Sequence, residues 1–87
     1  MNFNETITSR GYTIQSSEEE RITIQKTSKL DTIFVIFNKK HKYLRGVLRV
    51  DSLIENIKEL QTIKEHFDTL QEDMDIFQKL SKYSRID

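Results

Sequence analysis

"TIFVIFNKKHKYLRGVLRV", residues Thr32 to Val50, decides how this chain folds. Its first six residues, Thr32 to Phe37, are apolar on both alternating faces. That is the pattern of an interior strand covered on both sides, one by the chain's own helices and the other by a partner chain. Its last eight, Tyr43 to Val50, alternate cleanly. Leu44, Gly46, Leu48 and Val50 are expected to face the core, and Tyr43, Arg45, Val47 and Arg49 to face away. Asn38-Lys39-Lys40-His41 between them is a polar turn. An interior Gly at position 46 marks a bulge or a close backbone approach.

Working toward the N-terminus, Arg21 to Lys26 (RITIQK) alternates with Ile22 and Ile24 inward. Tyr12 to Ser16 alternates with Tyr12 and Ile14 inward. The polar tract Ser17 to Glu20 joins these two runs as a hairpin. Before them, Asn2 or Asn4 can cap a short helix carrying Phe3 and Ile7 on one face. Gly11 suits the left-handed residue that ends it.

Working toward the C-terminus, the period changes from two to helical at Asp51. Ser52-Leu53-Ile54-Glu55 has the form of a capping box, and so does Thr69-Leu70-Gln71-Glu72. Apolar residues recur at 53, 57, 60, 63, 67, 70, 74, 77 and 80. From Ile63 to Phe77 they step 4, 3, 4, 3, a heptad-like seam. The step from Leu60 to Ile63 breaks that alternation. A straight helix from Ser52 to Lys82 would be about 46 Å long, against roughly 30 Å for a compact body of this chain length. Either it breaks near 66–69 into a helix pair, or it stays one long or gently kinked helix that projects toward a partner. The expected architecture is one α+β domain over 1–87, sheet-rich in 1–50 and helical in 51–83. It comprises a short N-terminal helix, a four-stranded antiparallel meander, and a long C-terminal helical segment on one sheet face.

Composition narrows the function classes. The chain of 87 residues contains no Cys, which excludes disulfides, thiolate chemistry and Cys-based metal sites. No basic n-region precedes an apolar run at the N-terminus, and the longest apolar run is Ile33 to Phe37, so a cytoplasmic protein without a membrane span is expected. His41 sits among lysines, and His66 has Thr62, Ile63, Thr69 and Leu70 at its helical offsets, none of them a metal ligand. Gly11 and Gly46 are isolated, so no phosphate-cradling loop or nucleophile elbow exists. Neither catalysis, nor a metal, nor a cofactor is expected.

Charge is where the information lies. The net charge is zero, but residues 1–50 hold nine Lys/Arg against five Asp/Glu, and residues 51–87 hold five against nine. Lys39, Lys40, Lys42, Arg45 and Arg49, with Tyr43 among them, form a basic cluster. Arg45, Arg49 and Tyr43 project from one strand face, a pattern that suits an acidic protein surface or phosphates with a stacked base. Glu65, Asp68, Glu72, Asp73 and Asp75 form an acidic stretch of opposite sign. In size, composition and lack of catalytic motifs, the chain resembles the small orphan proteins of phages and mobile elements, which include inhibitors of host defence such as anti-CRISPRs. What that resemblance implies is a non-enzymatic protein that occupies and inhibits a larger protein or nucleoprotein partner. It would use these two clusters and act as a homodimer. The alternative is a small nucleic-acid-binding regulator using the basic hairpin 38–50.

Overall fold

The computed structural model describes residues 3–39 and 43–83, with side chains through Leu80. Helix α1 (Phe3–Ser9) leads into strands β1 (Thr13–Ser17), β2 (Arg21–Thr27), β3 (Asp31–Asn38) and β4 (Tyr43–Val50), and helix α2 (Ile57–Tyr83) closes the chain. The strands form one antiparallel sheet in the order β1-β2-β3-β4. The meander with a short leading helix and a long following helix is therefore present as expected. Among the described residues no helix is long and apolar enough to cross a membrane.

α1 ends as its glycine requires. Gly11 has φ 87°, Tyr12 N–H donates to Ile7 C=O at 2.9 Å, and Gly11 N–H donates to Thr8 C=O at 3.0 Å. This pair of bonds is the Schellman arrangement, which satisfies the last carbonyls of the helix and turns the chain sharply. The turn carries Tyr12 back beneath α1, where Tyr12 and Ile7 are both buried.

Both helices lie on one face of the sheet. Ile22, Ile24, Ile33, Val35 and Phe37 point into that face and are buried, and Leu44 and Leu48 pack beside them. Phe3, Tyr12, Phe37 and Phe77 meet as a ring cluster. Phe3 packs edge-on to Phe37 with centroids 4.7 Å apart, and Tyr12 edge-on to Phe77 at 5.5 Å. The quadrupoles of the rings favour this geometry beyond simple burial. Gly46 turns out to be a close approach and not a bulge, since the β3–β4 register runs without a shift. A Cβ there would overlap Met74 Sδ and stand 3.3 Å from Leu70 Cδ1.

Three expectations change, and one alternative left open is decided. Ile14 is exposed although its register partner Ile24 is buried, because it lies on β1, the edge strand of the sheet. Val50 is exposed at the end of β4. α2 does not begin at Ser52. Its cap is Asn56, whose side-chain oxygen accepts from Glu59 N–H at 3.0 Å, while Glu59 reaches back to Glu55 N–H at 2.9 Å. Ser52 instead donates to Lys29 C=O. Finally, α2 is a single helix through Thr69, and its length sets the 42 × 21 × 20 Å dimensions. No Gly or Pro interrupts it. The apolar register fault is absorbed by dividing the residues between two stripes. Leu70 and Phe77 face the sheet with Met74 packed beside them, and Leu60 and Phe67 fall on the exposed adjoining flank.

Replacing Phe77 by Ala should cost about 3–5 kcal/mol, a large fraction of the stability of a domain this small. Gly46→Val should cost about 1–3 kcal/mol through overpacking against Met74. Urea unfolding monitored by helical circular dichroism measures both.

Candidate functional site

The register places the sequence-identified cluster on the outer sheet face, opposite the helices. Phe34 pairs with Val47, Ile36 with Arg45, Thr32 with Arg49 and Asn38 with Tyr43, while Thr23 and Gln25 of β2 lie beside Ile36 and Phe34. Phe34, Ile36 and Val47 are half-buried and Tyr43, Arg45 and Arg49 are exposed. The result is an apolar strip flanked by guanidinium groups and a phenol ring, with no described element of the chain over it. The apolar outer side of β3, expected to meet a partner chain, is thus open in the monomer.

The two arginines differ in what holds them. Arg49 stacks over the Phe34 ring, 5.3 Å from its centroid, and donates from Nε to Asp51 Oδ1 at 2.6 Å. Asp51 is also bonded by the Thr32 hydroxyl. That hydroxyl, and then the Arg49 guanidinium, hold the Asp51 carboxyl below its usual range. Arg49 is therefore preorganised, its plane against an aromatic ring. Arg45 makes no ion pair among the described residues. Lys39 is half-buried at the end of β3, with its N–H bonded to Glu20 C=O at 2.7 Å. Lys40, His41 and Lys42 lie outside the described residues, as does Asn2.

The acidic stretch is only partly a surface. Glu65, Asp68, Glu72 and Asp75 are exposed on α2, but Asp73 is buried, which corrects its assignment to a binding surface. Asp73 Oδ1 accepts from Arg10 Nε, and Oδ2 accepts from the Tyr12 hydroxyl at 2.8 Å. Burial, followed by the bond to Asp73, pushes the Tyr12 phenol well above its usual value. The neighbouring Asp73 raises Arg10 further. Of the exposed acids, Asp68 pairs with Lys64 at 3.0 Å, Asp75 with Lys79 at 3.6 Å and Glu72 with Arg10 at 3.6 Å. The helix back is laced by its own cations, and such exposed pairs are weak individually. On the basic face Arg49 is likewise paired, with Asp51, while Arg45 makes no ion pair among the described residues.

A second buried carboxylate was not legible in the sequence. Asp31 is almost wholly buried. It accepts from His66 Nδ1 at 2.8 Å and from the Ser28 hydroxyl at 2.7 Å. Ser, Asp and His in one small cleft of about 120 Å³ invite comparison with a hydrolase triad. The connectivity is wrong for one. A nucleophile has to be bonded to the imidazole nitrogen that the carboxylate leaves free, whereas the Ser28 hydroxyl is bonded to the carboxylate itself and accepts from Asp31 N–H at 3.2 Å, closing the β2–β3 turn. The trio ties helix to hairpin. The signal for it lies in Ser28-x-x-Asp31, a turn motif. Its third member comes from 35 residues away. Every buried side-chain polar atom among the described residues has a hydrogen-bond partner, and no group of three potential metal ligands occurs among them.

No family model matches the chain, and no curated protein or solved structure matches it either.

The raised Tyr12 phenol yields a pH prediction. Its folded pKa lies above the unfolded value of about 10. The stabilisation it brings is therefore complete below that pH and is lost as pH rises beyond it. Stability from urea unfolding should fall from about pH 9 to 11 in the native chain, and less steeply in Tyr12→Phe.

Proposed function

We propose that this is a non-enzymatic interaction protein of cytoplasmic type that docks its outer sheet face on an acidic surface of a larger protein and inhibits that partner by occupying it. The observation that carries the reading is the uncovered strip Phe34, Ile36 and Val47 bordered by Tyr43, Arg45 and Arg49. Monomeric proteins rarely leave such an apolar strip open on a sheet. Arg and Tyr beside apolar side chains are the composition of an interface centre. Arg49 is already ordered on Phe34 and Asp51, so binding through it loses little side-chain entropy. The self-compensated acidic helix back carries less of the recognition than its charge count in the sequence implies.

A nucleic-acid regulator remains the second reading, favoured by the same arginines. Salt dependence distinguishes the two, because neutralising phosphates releases condensed counterions.

Arg45→Glu is the test, since Arg45 is exposed and makes no ion pair among the described residues. Capture of the partner from the native host should be lost in Arg45→Glu and retained in Glu65→Lys, with circular dichroism unchanged in both. Capture undiminished by Arg45→Glu rejects the sheet face. Mobility shift on random duplex and single strands is expected to show no binding at low salt. A shift with a log–log salt slope of about −4 would establish the second reading instead.

A further inference from the structure

We propose that the free flank of α2 is an antiparallel self-association seam, and that a second copy of the chain completes the basic sheet platform. The inference rests on the sheet-face reading for the platform's use but on separate observations for the seam.

α2 has two apolar stripes. The first faces the sheet through Leu70 and Phe77. The second runs along Ile57, Leu60, Lys64, Phe67, Gln71, Met74 and Gln78, alternating steps of three and four. Three of its apolar members are exposed to a degree the core does not explain: Ile57 70%, Leu60 54% and Phe67 48%. These fall in one line along the helix.

The position of that line follows from the helix's neighbours. Asp73 and Phe77 turn toward α1, where they meet Arg10, Tyr12 and Phe3. Met74 turns the other way and sits against Gly46 of β4. Beyond Met74 around the helix come Phe67 and Leu60. The stripe therefore lies on the side away from α1, above the β4 edge, which pairs with β3 alone.

The overhang supplies the geometry. His66 is level with Asp31, at the end of the sheet formed by the β2–β3 turn and Val50. Residues 57–65 run past that end by about 13 Å with no sheet beneath them. An antiparallel second copy centred on Phe67 lays the sheet-supported half of its α2 along this overhang. Phe67 then meets its own equivalent, and Leu60 meets Met74 of the second copy. The contact is isologous and closed, so it stops at a dimer. Charge selects this direction. In a parallel pair the two Lys64 side chains would face each other within the seam, whereas the antiparallel pair sets Lys64 beside Gln71.

A two-fold axis at this seam passes beside β4, normal to the sheet. The two sheets then lie on the same side of the helix pair, staggered along it so that the β4 strands approach each other only near their Val50 ends, and Tyr43, Arg45 and Arg49 of both copies share one face. A single chain presents half of that platform.

The absence of cysteine makes the test clean. Light scattering of the native chain at tens of micromolar should give twice the 10.4 kDa chain mass. Phe67→Glu, at an exposed position, should halve it with circular dichroism unchanged. Phe67→Cys should form a disulfide dimer on mild oxidation, while Gln61→Cys on the helix back should not. A mixture of Leu60→Cys and Met74→Cys chains should give the mixed dimer in preference to either homodimer, and preferred Leu60 homodimers would overturn the antiparallel seam. Long poly-L-glutamate serves as the acidic probe, and its affinity should drop about 10²-fold in Phe67→Glu through lost bivalency. Undiminished affinity in a monomeric Phe67→Glu overturns the shared platform. A monomeric native chain overturns the seam while leaving the sheet-face reading to its own test, because Arg45→Glu is expected to stay dimeric and lose the probe.

Discussion

Two buried carboxylates, at two levels of the sheet, pin α2 where it lies. Asp31 at the start of β3 holds His66, and Asp73 on the helix holds Tyr12 and Arg10. His66 and Asp73 are seven residues apart, two turns along the same face of the helix. A buried carboxylate without its donors is costly, so rotation of α2 that broke either pin would be opposed by both. Gly46 sits between these levels and lets Met74 and Leu70 come down onto β4 without a side chain in the way. With rotation and depth set, which residues are core and which are flank is no longer free. Leu70 and Phe77 go in, and Leu60 and Phe67 stay out.

The layered arrangement then separates the charges. Both helices lie on one face, so the back of α2, with its acids and their lysine and arginine partners, is on one side of the molecule. The arginines of β4 are on the other, beyond the sheet. A chain of zero net charge is made two-faced by its fold. The two sides also differ in kind. The acids are exposed, paired locally along the helix and weakly held, whereas the Arg49 guanidinium is ordered on an aromatic ring and a carboxylate. Preorganisation of that sort favours recognition, which is why the sheet face carries the proposed function.

Much of the fold was readable because period is a strong local signal. Ile22 and Ile24, Leu44 and Leu48, and the Gly11 stop all follow from alternation or backbone sterics within a few residues. The failures have equally local causes. Ile14 was misassigned because it lies on the edge strand, and alternation gives the face of a residue without telling how far the core extends over that strand. Ser52 looked like a cap because Glu55 follows it at the right spacing, but Asn56 and Glu59 offer the same motif one turn later. Asp73 was grouped with its acidic neighbours because charge runs read as solvated faces. Its partners, Arg10 and Tyr12, lie more than sixty residues away.

By itself the sequence determined the element types, their order, the core-facing members of the central strands and the grouping of basic residues on one side of β4. Each of these depends on contacts between near neighbours or on a period of two or of three to four residues. Tertiary structure alone decided which of the two apolar stripes on α2 is buried, that Asp31 and Asp73 are internal anchors, and that the apolar outer side of β3 stays open. The reason is that a stripe, a carboxylate or a strand face has no inherent inside. It acquires one only when a segment distant in the chain supplies the surface or the proton donor that water supplied before.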